Sequence, residues 1–118
     1  MFLYDDKYKT NIRIIDGIVF SCDRYKSDYD SEAESLAKLY ADKLDDIVSL
    51  MQPDIKRFYE HNTYEITAEL LKESLGEPLI DLSSKTITYC NQTLDKEHIF
   101  SLEFSGAFDS FDNLCIDG

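Results

Sequence analysis

Two hydrophobic periods divide the chain. Ile12-Arg13-Ile14-Ile15 and Ile18-Val19-Phe20-Ser21-Cys22 are short runs rich in β-branched and aromatic side chains, with Asp16-Gly17 between them. Such residues suit a pleated, half-buried surface, and Asp-Gly suits the positive φ angles of a two-residue type I′ turn. The pattern predicts a hairpin in which Ile15 faces Ile18 and Ile14 faces Val19. After a polar stretch over residues 24–30 the period changes. Leu36, Tyr40, Leu44, Ile47, Val48 and Met51 recur at helical intervals, while Glu32, Lys38, Asp42, Lys43, Asp45 and Asp46 fill other positions. A helix is expected over residues 32 to about 51, opened by a capping box in which Ser31 and Glu34 stand at S-x-x-E spacing. Pro53 biases Gln52 away from helical geometry and itself suits the first turn of a new helix, so a second, short helix is expected over 53–60.

Thr67 has the chemistry to cap a third helix over 68–75, and Ile66 with Leu71 has the spacing of a hydrophobic staple. Gly76 and Pro78 end that helix. Beyond it the chain turns to strand-like runs: Leu79-Ile80-Asp81-Leu82, Thr86-Ile87-Thr88-Tyr89-Cys90, residues 98–104, and Asn113-Leu114-Cys115-Ile116. Ser83-Ser84-Lys85 and Ser105-Gly106-Ala107 supply turns. In the third of these runs Phe100, Leu102 and Phe104 share the core side, and Ile99, Ser101 and Glu103 the other. Hairpin, helices and four strands, with no repeat and no linker, predict one α+β domain over 1–118. Its helices would form one layer on one face of a largely antiparallel sheet.

Composition adds charge to this picture. Among 118 residues, 24 acidic side chains stand against 12 basic ones, for a net charge of −12. Such a field repels nucleic acid and anionic membrane and attracts basic surfaces, so neither a nucleic acid nor a membrane is an expected partner. An acidic balance also serves solubility alone. Met1-Phe2-Leu3-Tyr4-Asp5-Asp6 has neither the basic nor the apolar region of a secretory signal, and no run reaches the length of a membrane span. Cys22, Cys90 and Cys115 are odd in number and lack C-x-x-C spacing, which argues against a disulfide framework or a zinc site and fits the cytoplasm.

Candidate chemistry is sparse. His61 and His98 are the near-neutral acid–base groups, and neither sits in a catalytic spacing. His98 opens a strand that could neighbour Cys90 and Cys115, so a Cys/His pair is conceivable, although small cysteines are common core residues. Asp109, Asp112, Asn113 and Asp117 supply oxygen ligands but lack the order of a calcium loop. No glycine-rich phosphate loop exists, and no cofactor or metal is expected. From Glu97 to Gly118 the chain holds no lysine or arginine, while Phe100, Phe104, Phe108 and Phe111 lie among its carboxylates. Phe100 and Phe104 belong to the core. Phe108 and Phe111 occupy a turn-like segment, where exposed aromatics rimmed by Asp109 and Asp112 would suit a protein interface. A second acidic feature, Asp42, Asp45 and Asp46, follows the outer side of the long helix, either as a solvated face or as part of that interface.

Leu75-Gly76-Glu77-Pro78, Thr86-Ile87-Thr88-Tyr89, Glu97-His98-Ile99-Phe100 and Ile116-Asp117-Gly118 together resemble small acidic bacterial domains found among toxin-immunity proteins. The resemblance implies a cytoplasmic, non-enzymatic protein that binds a toxin one-to-one and neutralises it, as in contact-dependent growth inhibition. A basic nuclease toxin would agree with the charge. Two alternatives stand beside it: an acidic adaptor for another basic protein, and a small enzyme using a Cys/His pair.

Overall fold

A computed structural model describes residues 1–61 and 65–118. Seven strands form a single sheet in which spatial order follows chain order: β1 (Leu3–Asp5), β2 (Thr10–Ile15), β3 (Ile18–Cys22), β4 (Leu79–Asp81), β5 (Thr86–Tyr89), β6 (Ile99–Ser105) and β7 (Ser110–Asp117). Every neighbouring pair is antiparallel except β3 and β4, which run parallel with Val19 beside Leu79 and Phe20 beside Ile80. A parallel pair needs a crossover, and α1 (Asp28–Phe58) with α2 (Ala68–Ser74) provides it. The protein is therefore α+β, with both helices on one face of the sheet.

Asp16 and Gly17 both have positive φ, and Ile15 pairs with Ile18 and Ile14 with Val19, as the Asp-Gly turn predicts. The Phe100 side of β6 faces inward. Phe20, Ile80, Ile87, Tyr89, Phe100 and Leu102 meet Leu36, Ile47, Met51 and Ile55 of α1 in one buried cluster. Thr67 caps α2 as expected, its side chain accepting a hydrogen bond from the Leu70 N–H at 3.1 Å.

Four features depart from expectation. The first helix begins at Asp28 and no capping box forms: Ser31 lies inside the first turn and donates to the Asp28 carbonyl, while Glu34 is held by Arg13 of β2 at 2.8 Å. Arg13 also binds the Asp30 carboxylate at 3.2 Å, and carboxylates in a first helical turn complement the helix dipole, so the earlier start is supported from the sheet. Second, the two expected helices around Pro53 are one. Pro53 is exposed, whereas Met51 and Ile55 on either side are fully buried, and Gln52 Nε2 donates to the Ile66 carbonyl at 2.9 Å. Burial on both sides of the proline outweighs the lost N–H, and the carbonyl it leaves without that donor lies on the hydrated side. Third, β1 is an additional edge strand. Fourth, β7 spans Ser110–Asp117 rather than four residues.

Candidate functional site

The acidic segment expected to bind a partner folds as the β6–β7 hairpin. Its loop, residues 106–109, requires Gly106: φ is +59°, and a Cβ there would overlap the Asp109 carboxylate. Phe108 also has a positive φ, +60°, but its ring is fully buried. It stacks edge-on against Phe104 with centroids 5.0 Å apart, tilts against Phe111 at 5.6 Å and meets Tyr40 of α1 at 6.4 Å. Phe111 pairs with Phe104 across the hairpin and is half-buried against the core. The expectation of two exposed aromatic anchors is thereby corrected. Phe108 is a core residue, because the four-residue loop folds back and closes the end of the core under α1, and Phe111 presents only part of its ring.

The carboxylates stand where expected, in solvent. Asp109 is exposed in the loop, and Asp112 is exposed on β7 opposite Glu103. A register shift between Ser101 and Glu103, with Asn113 at φ +55°, bends the edge strand there. Asn113 Nδ2 donates to Glu103 Oε2 at 2.7 Å, and the Asp112 carboxylate accepts from the Asn113 N–H. Among the described residues no cationic side chain forms an ion pair with Glu103, Asp109, Asp112 or Asp117. Asp42, Asp45 and Asp46 are exposed on α1, and Asp45 is already bound to Lys72 of α2 at 2.9 Å. They lie on the helical layer, whereas Glu103 and Asp112 project from the opposite face of the sheet. The two acidic features are not one surface.

The cysteines separate by environment. Cys22 is buried in β3, where burial and then the nearby Asp81 push its thiol pKa up. Cys115 lies on β7 in the run expected to be a strand, whereas Cys90 falls just beyond β5 rather than within it; both are exposed. His98 is oriented by Asp95: its Nδ1 lies 2.6 Å from Asp95 Oδ2.

Around Asp95 the fold builds a polar cluster that sequence reasoning missed. Tyr59 at the end of α1 donates its hydroxyl to Asp95, and the Glu97 and His98 N–H groups donate to its other oxygen at 3.0 Å. Gln92, buried, donates to that carboxylate at 3.0 Å and to the His98 carbonyl at 2.8 Å. Burial opposes ionisation of Asp95. The hydrogen bonds from Tyr59, His98, Gln92 and the backbone outweigh it and hold the carboxyl well below the usual carboxylate range. The signal for such a cluster is the D-x-x-H spacing, which places an Asp side chain over the N–H groups two and three residues on. Its work is to pin the loop between β5 and β6 to the helix end. A second pair, Tyr40 and Tyr89, shares a hydrogen bond of 2.6 Å; burial pushes the Tyr40 phenol up to about 12.

Among the described residues no group of carboxylates, histidines and cysteines is arranged to hold a metal ion, and no helix is long and apolar enough to cross a membrane. In comparisons with protein-family models, curated proteins and solved structures, none matched the chain.

Proposed function

We propose that the protein acts by binding a basic protein, and specifically that it is a cytoplasmic immunity protein which occludes a basic, nuclease-type toxin domain one-to-one. The observation that carries this reading is the set of carboxylates on the β6–β7 hairpin that form no ion pair among the described residues, in a chain of net charge −12. Unpaired carboxylates on a rigid sheet are pre-organised acceptors for lysine and arginine, and their field steers a cationic partner into encounter. Covering a phosphate-binding surface would block a nuclease without any catalysis by the inhibitor. The motif resemblance to immunity proteins points the same way.

An adaptor that binds a different basic protein shares every one of these features. The enzyme reading has less support at Cys90, because burial pushes its thiol up, away from the thiolate a nucleophile needs. The test is to co-express the chain with basic nuclease toxin domains and measure host survival. Protection from one of them, with a stoichiometric complex recovered, supports immunity. A tight natural partner with a neutral or acidic surface would remove the reading.

A further inference from the structure

Among the described residues, helices cover one face of the sheet and no element covers the other. Strand register fixes what the bare face carries. Ile14 lies opposite Val19, Val19 beside Leu79, and Leu3 opposite Ile12, so these five apolar side chains form a patch across β1 to β4. Continuing along the same face, Asp81 aligns through Thr86 with Glu103 and Asp112 across β4 to β7. Ile14 is 61% and Leu3 68% exposed, although both sit in regular strand. One half of the face is apolar and the other acidic.

Size and charge decide what could cover it. Strands lie about 4.8 Å apart, so the apolar half is a patch of a few hundred Å², short of the roughly 800 Å² per partner of a stable association. A lasting complex must use the acidic half too. A second copy of this chain would bring further carboxylates to that half, within a total charge of −12 on each molecule. We infer that the bare sheet face is the docking surface for a basic protein, with an apolar patch of the partner seated on Ile14 and Leu3 and its lysines and arginines opposite Asp81, Glu103 and Asp112. This rests on the reading of the chain as a binder of basic proteins and assigns the site of that binding. Phe111, at the covered end of the hairpin, is not an anchor of it.

The experiment is an NMR titration of the isotope-labelled full chain at low ionic strength with two probes, an alternating leucine–lysine peptide and an oligolysine of equal length. Shifts should centre on β2, β3 and β6, and the alternating peptide should bind more tightly. Ile14→Ser should weaken the alternating peptide by about tenfold and leave oligolysine binding as it was. Glu103→Gln with Asp112→Asn should weaken both. Ile14 and these carboxylates are exposed, so an unchanged melting temperature serves as fold control, and Leu3→Ser repeats the test independently. Shifts centred on Asp42 and Asp46 of α1, or parent-like binding by Ile14→Ser and Leu3→Ser, would overturn this face and leave a basic partner standing. Failure of both peptides to bind at low salt would remove the basic partner and this inference together. Concentration-dependent dimerisation abolished by Ile14→Ser would assign the face to a second copy and likewise overturn it.

Discussion

Phe108 combines a left-handed backbone with a fully buried ring. A positive φ costs a bulky residue about 1–2 kcal/mol, and burying a phenylalanine returns about 2–3, so the ring's contacts with Phe104, Phe111 and Tyr40 hold the backbone where it would not otherwise stay. Phe108→Ala removes the contacts and keeps the unfavourable dihedral. It should destabilise the protein by about 3–5 kcal/mol in denaturant unfolding, with any effect on binding following from lost fold. Asp95 makes a different prediction. Its folded pKa lies below the unfolded value of about 3.8, so its stabilising contribution is complete above about pH 4 and disappears as acid protonates the folded carboxylate. Asp95→Asn should therefore be less stable than the parent at neutral pH, and the two should converge on acidification below pH 4. Parallel stability curves from pH 7 to pH 2, followed by tyrosine fluorescence, would contradict the assignment. Each role was legible only in part: D-x-x-H spacing gives the local turn at Asp95 but not Tyr59, and the Phe108 segment reads as a turn but does not show the helix residue Tyr40 that covers its ring.

At the scale of elements, legibility followed locality. The β2–β3 hairpin, the Thr67 cap and the inward side of β6 depend on neighbours a few positions away, and the pattern predicts them correctly. β1 needed a comparison along the chain. Asp5-Asp6-Lys7-Tyr8-Lys9-Thr10 and Asp81-Leu82-Ser83-Ser84-Lys85-Thr86 share the order D-x-x-x-K-T, and both form four-residue hairpin loops. In each, the Asp side chain accepts the N–H groups two and three residues on, and the Lys takes a φ of +58°. Reading the second as a turn and extending it to the first would have revealed the edge strand. The bare face was half-legible: alternation separates Phe100 from Ser101 and the Asp-Gly turn pairs Ile14 with Val19, but only the parallel register shows that Leu79 adjoins them. Pro53 misled because its local preference is real and is overridden by burial of Met51 and Ile55. Pro53→Ala should consequently raise stability by about 1–2 kcal/mol, the helical gain being partly offset by a freer unfolded chain, without altering helix content by circular dichroism. A less stable Pro53→Ala protein would mean that the proline shapes a bend the core requires.

At the scale of the whole molecule, the proposed complex would owe its rate of formation to charge and its lifetime to the apolar half of the sheet. Association with a basic partner should slow steeply as salt rises toward physiological strength, where the screening length falls to about 8 Å, while dissociation changes little. Stopped-flow rates indifferent to salt would show that the −12 charge serves solubility alone. The sheet's topology has a kinetic consequence as well. β1 to β3 and β4 to β7 are two meanders, each built from contacts between successive strands, and the strand pairing that joins them is the three-residue parallel seam of Val19, Phe20 and Ser21 with Leu79, Ile80 and Asp81. The hairpins can close quickly, because short loops cost little entropy, whereas the seam must wait until the chain between Cys22 and Leu79 has folded into its helices. Pulse-labelled hydrogen exchange during refolding should protect the amides of each meander first and those of the seam last. The last contact to form would then lie at the centre of the sheet rather than at its edges, and a chain caught before that moment would carry two half-sheets, each with an open inner edge ready to pair with another molecule.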